Sequence, residues 1–179
     1  MSRIVNRLAG VLPHFCLFLA IAAPLSLILI IAMVPAEKLT LAMNISERAH
    51  ALPHLGWERR VLATLICLLP VGCLSYGLMH ARSSLRRFNS GEYFSASAIR
   101  GIRSFGAGIF WSSLLTLAVA PLAMYTLTRY SEGTHTGRTL MFRLDVSTLV
   151  LLAIGGIIWQ IASMMQRAAE LAEENRQFV

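Results

Sequence analysis

The sequence predicts an all-α membrane protein, with four transmembrane helices in a bundle, on three observations. Hydrophobic residues fill 56% of the 179 positions and the mean hydropathy is +0.62, above a soluble domain, in which roughly half the residues are apolar. Four runs, 11–34, 61–81, 106–128 and 146–166, are each of a length to cross a bilayer, which takes about 20 helical residues. No Asp, Glu, Lys or Arg sits near the centre of any of them. Lipid offers backbone amides no water, so each span must satisfy its own hydrogen bonds, and the alternating pattern of a membrane barrel is absent.

The first span follows Arg3 and Arg7. Its start resembles a signal peptide, with small residues at Val34-Pro35-Ala36. However, its 24 apolar positions exceed the ~7 to 15 of a secretory core, so an uncut helix is expected. The loop Pro35 to Arg60 carries Leu39, Leu41, Ile45, Ala49 and Leu52 at loose helical spacing, and its composition permits an interfacial helix ended by Pro53. The second span leads into a segment, 82–105, read as a helical hairpin. Leu85 and Phe88, three residues apart, share one face of a continuing helix. Asn89-Ser90-Gly91 are turn formers, and Ser95 or Ser97 can cap the next helix. The fourth span likewise runs on into a tail, 167–179, so the second, third and fourth helices are expected to extend into the cytoplasm.

Sidedness follows from the cations. Arg3, Arg7, Arg82, Arg86, Arg87, Arg100, Arg103, Arg167 and Arg176 lie on one side, against Lys38, Arg48, Arg59, Arg60, Arg129, Arg138 and Arg143 on the other. The central loop packs five arginines beside its spans, where the positive-inside rule weighs most. Both termini are therefore expected on the cytoplasmic side of the membrane. Trp57 and Tyr130 then mark the outer interface, and Tyr93 and Phe94 the inner one. The net charge of +7 is explained by cations facing anionic headgroups rather than by nucleic acid.

The turn LRRFNSGEYFSASAIRGIRSFG, residues 85–106, and the C-terminal AAELAEENRQFV are the two most distinctive stretches. The first is an Arg-rich helix end, then Phe88, Gly91-Glu92-Tyr93-Phe94-Ser95 and an Ile/Arg helix start; the second is Glu170-Leu171-x-x-Glu174-Asn175 before Phe178-Val179. Together they resemble a bacterial four-helix membrane family catalogued as domain of unknown function 2975, over essentially the whole chain. The resemblance implies a four-span bundle and no chemistry. Members are often encoded beside small Cro-type helix-turn-helix repressors, which implies a regulatory protein as partner.

Two surfaces follow from the residues themselves. Arg86, Arg87, Phe88, Tyr93, Phe94, Arg100 and Arg103, with Glu170 and Glu174 of the tail, form a candidate docking site for a cytoplasmic or membrane protein, aromatic and Arg residues being enriched at interface hot spots. The alternative is that these charges pair only with one another or with lipid. Direct DNA binding is not expected, because the hairpin has no base-reading helix. Pro24, Pro70, Pro121, Gly155 and Gly156 each fall 7 to 10 residues from one end of their span, and so suggest a layer of helix breakers that could act as a hinge or line an apolar pocket. The competing reading is helix packing, since Gly and Pro are frequent in membrane helices.

His14 and His80, at similar expected depth on the first two spans, are weak candidates for axial haem ligands, set against solvated or backbone-bonded histidines. No other cofactor or metal is indicated. His50 and His54 have helical spacing but Pro53 between them and no HExxH glutamate. Cys16, Cys67 and Cys73 lack CxxC spacing and read as packing residues. Glu37, Glu47, Glu58, Glu132 and Asp145 have no matching nucleophile. The sequence thus points to a non-enzymatic membrane protein that docks a regulator, with a small transporter or a binder of a lipid or quinone-like ligand, either of them as a homo-oligomer, or a structural subunit of a membrane complex as alternatives.

Overall fold

A computed structural model describes residues 2–33, 57–89, 95–128 and 145–176. These form four helices: α1 (Ser2–Met33), α2 (Trp57–Asn89), α3 (Ala96–Thr128) and α4 (Val146–Arg176). Each is long and apolar enough to cross a membrane. At about 1.5 Å per residue the 31 to 33 residues of each helix reach about 50 Å, against a hydrocarbon core of about 30 Å. The helices therefore outrun the predicted spans. α2 continues to Asn89, α3 starts at Ala96 and α4 runs to Arg176, and α1 also begins well before Val11, at Ser2. Pro13 and Pro24 lie inside α1, Pro70 inside α2 and Pro121 inside α3 without ending any of them. Membrane helices tolerate proline when neighbours and local adjustments re-satisfy the freed backbone groups.

The packing order corrects the expected bundle. α1 packs on α2, α2 on α3 and α3 on α4, with no extensive contact closing α4 back on α1 among the described residues. The result is an open row in which α2 and α3 form the largest interface. The reason lies in which residues meet. Of the eight buried hydrophobics, five are alanines, Ala20, Ala63, Ala81, Ala98 and Ala162, beside Ile31, Ile99 and Val119. Large side chains such as Phe18, Leu25, Leu65, Leu69 and Ile157 are turned outward. In lipid no hydrophobic force drives large residues inward, so small residues that let backbones approach set the contacts.

α3 carries that chemistry on two faces. Gly101 and Gly108, seven residues apart, face α2. A Cβ at Gly108 would stand 2.8 Å from Gly77 Cα and 2.9 Å from the Cys73 carbonyl oxygen, and one at Gly101 would overlap the Ser84 hydroxyl. Gly106, on the opposite side, faces α4, where a Cβ would lie 2.5 Å from the Trp159 nitrogen. Gly155 of α4 answers it, since a Cβ there would be 2.7 Å from the Phe110 nitrogen and 3.1 Å from the Gly106 oxygen. Phe110 then sits against Gly156 and packs its ring 5.7 Å from that of Trp159. The pairings 77 with 108 and 84 with 101 make α2 and α3 antiparallel, and 106 with 159 and 110 with 155 do the same for α3 and α4.

Helix ends are secured locally. Arg60 Nη1 donates to the carbonyls of Ile31 and Ala32 at 3.4 and 3.5 Å, tying the start of α2 to the last turn of α1, where a cation is also attracted by the negative end of the helix dipole. Asp145 accepts at its carbonyl from the Thr148 and Leu149 amides as α4 begins.

Candidate functional site

The expected docking site lies where α2 ends, α3 begins and α4 overruns its span. Ser95 is the N-cap of α3: its hydroxyl accepts from the Ala98 amide at 3.3 Å and its carbonyl from Ala98 and Ile99. Such a cap supplies partners to amides that have none within the first turn. Ser84, 1% exposed, then fastens the two helices by donating to the Ala98 carbonyl at 2.9 Å. Ala98 and Ile99 are buried beside it. Ser84 thus ties the end of α2 to the start of α3, and exposed arginines flank that contact.

Arg86 and Arg87 are exposed in the last turn of α2, where cations complement the carbonyl end of a helix, and Phe88 beside them is half-buried. Arg82, one turn earlier, has its Nε buried without a hydrogen-bond partner. Arg100 and Arg103 are exposed on α3. Arg103 Nη1 donates to Gln166 Oε1 at 2.9 Å, and Gln166 Nε2 donates to Glu170 Oε1 at 2.9 Å. The structure therefore brings Arg103 and Glu170 into one chain of hydrogen bonds between α3 and α4. Gln166 is the link, and sequence reasoning missed it because a lone Gln at a span boundary carries no periodic signal. Ser84 was missed likewise; its trace is the spacing Cys73, Gly77, Ala81, Ser84, a stripe of small residues. Tyr93 and Phe94 lie outside the described residues, as does the side chain of Glu174.

The helix breakers do not form one layer. Gly155 is level with α3 residues 106 to 110, whereas Pro121 lies at least eleven residues further along α3, about 16 Å at ~1.5 Å per residue. Counting inward from each span boundary assumes equal depth for every boundary, which the register of α4 on α3 overturns. Gly155 and Gly156 instead seat the backbone and ring of Phe110, and Pro70 and Pro121 are buried in the packing while Pro24 is half-buried. A groove does exist, of about 640 Å³, but none of these five lines it. It runs along α2 and α3 between Leu65, Leu69, Gly72, Tyr76, Ser104 and Trp111.

His14 and His80 each place Nδ1 3.1 Å from the carbonyl four residues back, Gly10 and Tyr76 respectively. A carbonyl only accepts, so Nδ1 carries the proton in both. His80 also packs its ring against that of Tyr76, tilted by 41° with the centroids 4.3 Å apart. Among the described residues no three of His, Cys, Asp and Glu gather as a metal site. Cys16, Cys67 and Cys73 are free and half-buried.

Four apolar helices joined in series, each able to span a bilayer, define a multi-pass membrane protein. The chain belongs to the family described as "Protein of unknown function (DUF2975)", whose model matches residues 40–178. No match was found among curated proteins or among solved structures.

Proposed function

We propose that this is a non-enzymatic protein of the bacterial inner membrane, both termini cytoplasmic, that docks a regulatory protein on the surface formed by the end of α2, the start of α3 and the tail of α4. The partner that best fits is a small helix-turn-helix regulator, the type the family resemblance implies. The observation that carries the reading is the Arg103–Gln166–Glu170 chain, which links α3 to α4 and, with the Ser84 bond from α2 to α3, supports an ordered platform in place of three independent helix ends. Exposed Arg86, Arg87 and Arg100 with Glu170 would set orientation and on-rate. Phe88, Tyr93 and Phe94 would supply buried contact area.

The test is extraction from the native host in mild detergent and quantitative mass spectrometry of what accompanies wild type and a Phe88→Ala, Tyr93→Ala, Phe94→Ala variant. A stoichiometric soluble regulator with wild type, lost from the variant, is the expected result. A soluble partner retained equally by the variant, or no soluble partner with either, refutes the docking surface. The groove favours a second reading, a binder of an apolar ligand.

A further inference from the structure

We propose that the groove between α2 and α3 holds one acyl chain of an anionic phospholipid, with its headgroup against Arg100. The lining is apolar over most of its length, through Leu65, Leu68, Leu69, Ala107 and Trp111. Missing side chains shape it: a Cβ on Gly72 would meet nothing within 4 Å, so the groove floor is open there. Its volume of about 640 Å³ lies within the ~300 to 1,000 Å³ of ligand sites. From Leu65 to Tyr76 the α2 lining runs about 16 Å at ~1.5 Å per residue, comparable to one leaflet's share of a ~30 Å hydrocarbon core.

The groove has a polar end. Tyr76, packed against His80, and Ser104 sit where it approaches the α2–α3 turn. One helical turn beyond Ser104, on the same face of α3, is exposed Arg100, because positions 100, 104, 107 and 111 recur at steps of four and three. The α2 side repeats the pattern, with positions 76, 80, 83 and 87 placing Ser83 and Arg87 toward the same end. Hydrocarbon lining, then hydroxyls and an imidazole, then guanidinium reproduces in order the chain, interface and phosphate of an anionic lipid. A helix from a second copy would fill the apolar part but would leave the cationic end without a counterpart.

The inference does not rest on protein docking, and its test uses the purified full-length chain alone. Native mass spectrometry from detergent is run with dioleoyl phosphatidylglycerol and dioleoyl phosphatidylcholine at equal concentration. Wild type is expected to retain one phosphatidylglycerol, preferred by about fivefold, the ratio expected for one arginine near an anionic headgroup. Arg100→Gln is expected to lower that preference toward the level Arg87 alone would give, and Gly72→Leu, whose side chain enters open space, to lose both lipids. Equal retention of the two lipids by wild type overturns the proposal. So does undiminished retention by a folded Gly72→Leu, or a protein dimer in place of the lipid adduct. Should Gly72→Leu not fold, the wild-type ratio and Arg100→Gln still decide.

Discussion

Replacing Gly108 by alanine tests the claim that glycine contact, rather than apolar burial, joins α2 to α3. The new methyl would lie 2.8 Å from Gly77 Cα, 2.9 Å from the Cys73 oxygen and 3.2 Å from the Gly77 nitrogen, all backbone atoms. No rotamer change relieves such a clash, so the helices must separate by roughly half an ångström along a row of close contacts, an overpacking strain of about 1 to 3 kcal/mol. Alanine returns up to about 1 kcal/mol through helix propensity, so at full return the net loss is up to about 2 kcal/mol. Gly72→Ala is the matched control, because its methyl meets nothing within 4 Å and only the propensity gain remains. Thermal unfolding in maltoside micelles, followed by circular dichroism, should show Gly108→Ala melting several degrees below wild type, at about 2 to 4 °C per kcal/mol for a chain of this size. Gly72→Ala should melt at or slightly above wild type. If Gly108→Ala is as stable as Gly72→Ala, the close crossing of α2 and α3 is wrong.

Two further outcomes follow from the same contacts. Ser84→Ala removes the hydrogen bond to the Ala98 carbonyl and should lower stability by about 1 kcal/mol. Gly101→Ala, whose methyl would overlap the Ser84 hydroxyl, should cost less in the Ser84→Ala background than in wild type, a non-additivity measurable by a double-mutant cycle. At the opposite end, Arg60→Ala removes the long contacts with Ile31 and Ala32, at 3.4 and 3.5 Å, and the attraction to the helix dipole of α1, and should lower stability by about 1 kcal/mol. A much larger loss in the same melt would mean that Arg60 does more than cap α1.

The proposed docking surface was legible in part. Arg86, Arg87, Arg100 and Arg103 stood out by charge density beside a span, and Ser95 by its place before a helical run. What they do in space needed partners from elsewhere in the chain: Gln166 and Glu170 approach Arg103 across more than sixty residues of sequence. The lipid groove left a fainter trace. Gly72 and Ala107 read as ordinary small residues, and only the antiparallel alignment of α2 and α3 makes them a floor between Tyr76 and Trp111.

By itself the sequence determined the number of helices, their membrane character and the approximate limits of each, because hydropathy and length act on one segment at a time and lipid permits a single segment one main solution. Only the tertiary structure decided the order and register of packing. The open row of α1 to α4, the placing of Gly155 opposite Phe110 rather than beside Pro121, and the groove between α2 and α3 all depend on which small residues on two helices coincide. Each helix offers several stripes of Gly, Ala and Ser, and their hydropathy is alike. Steric fit between two surfaces selects among them, and that is a property of pairs which no single stretch of residues contains.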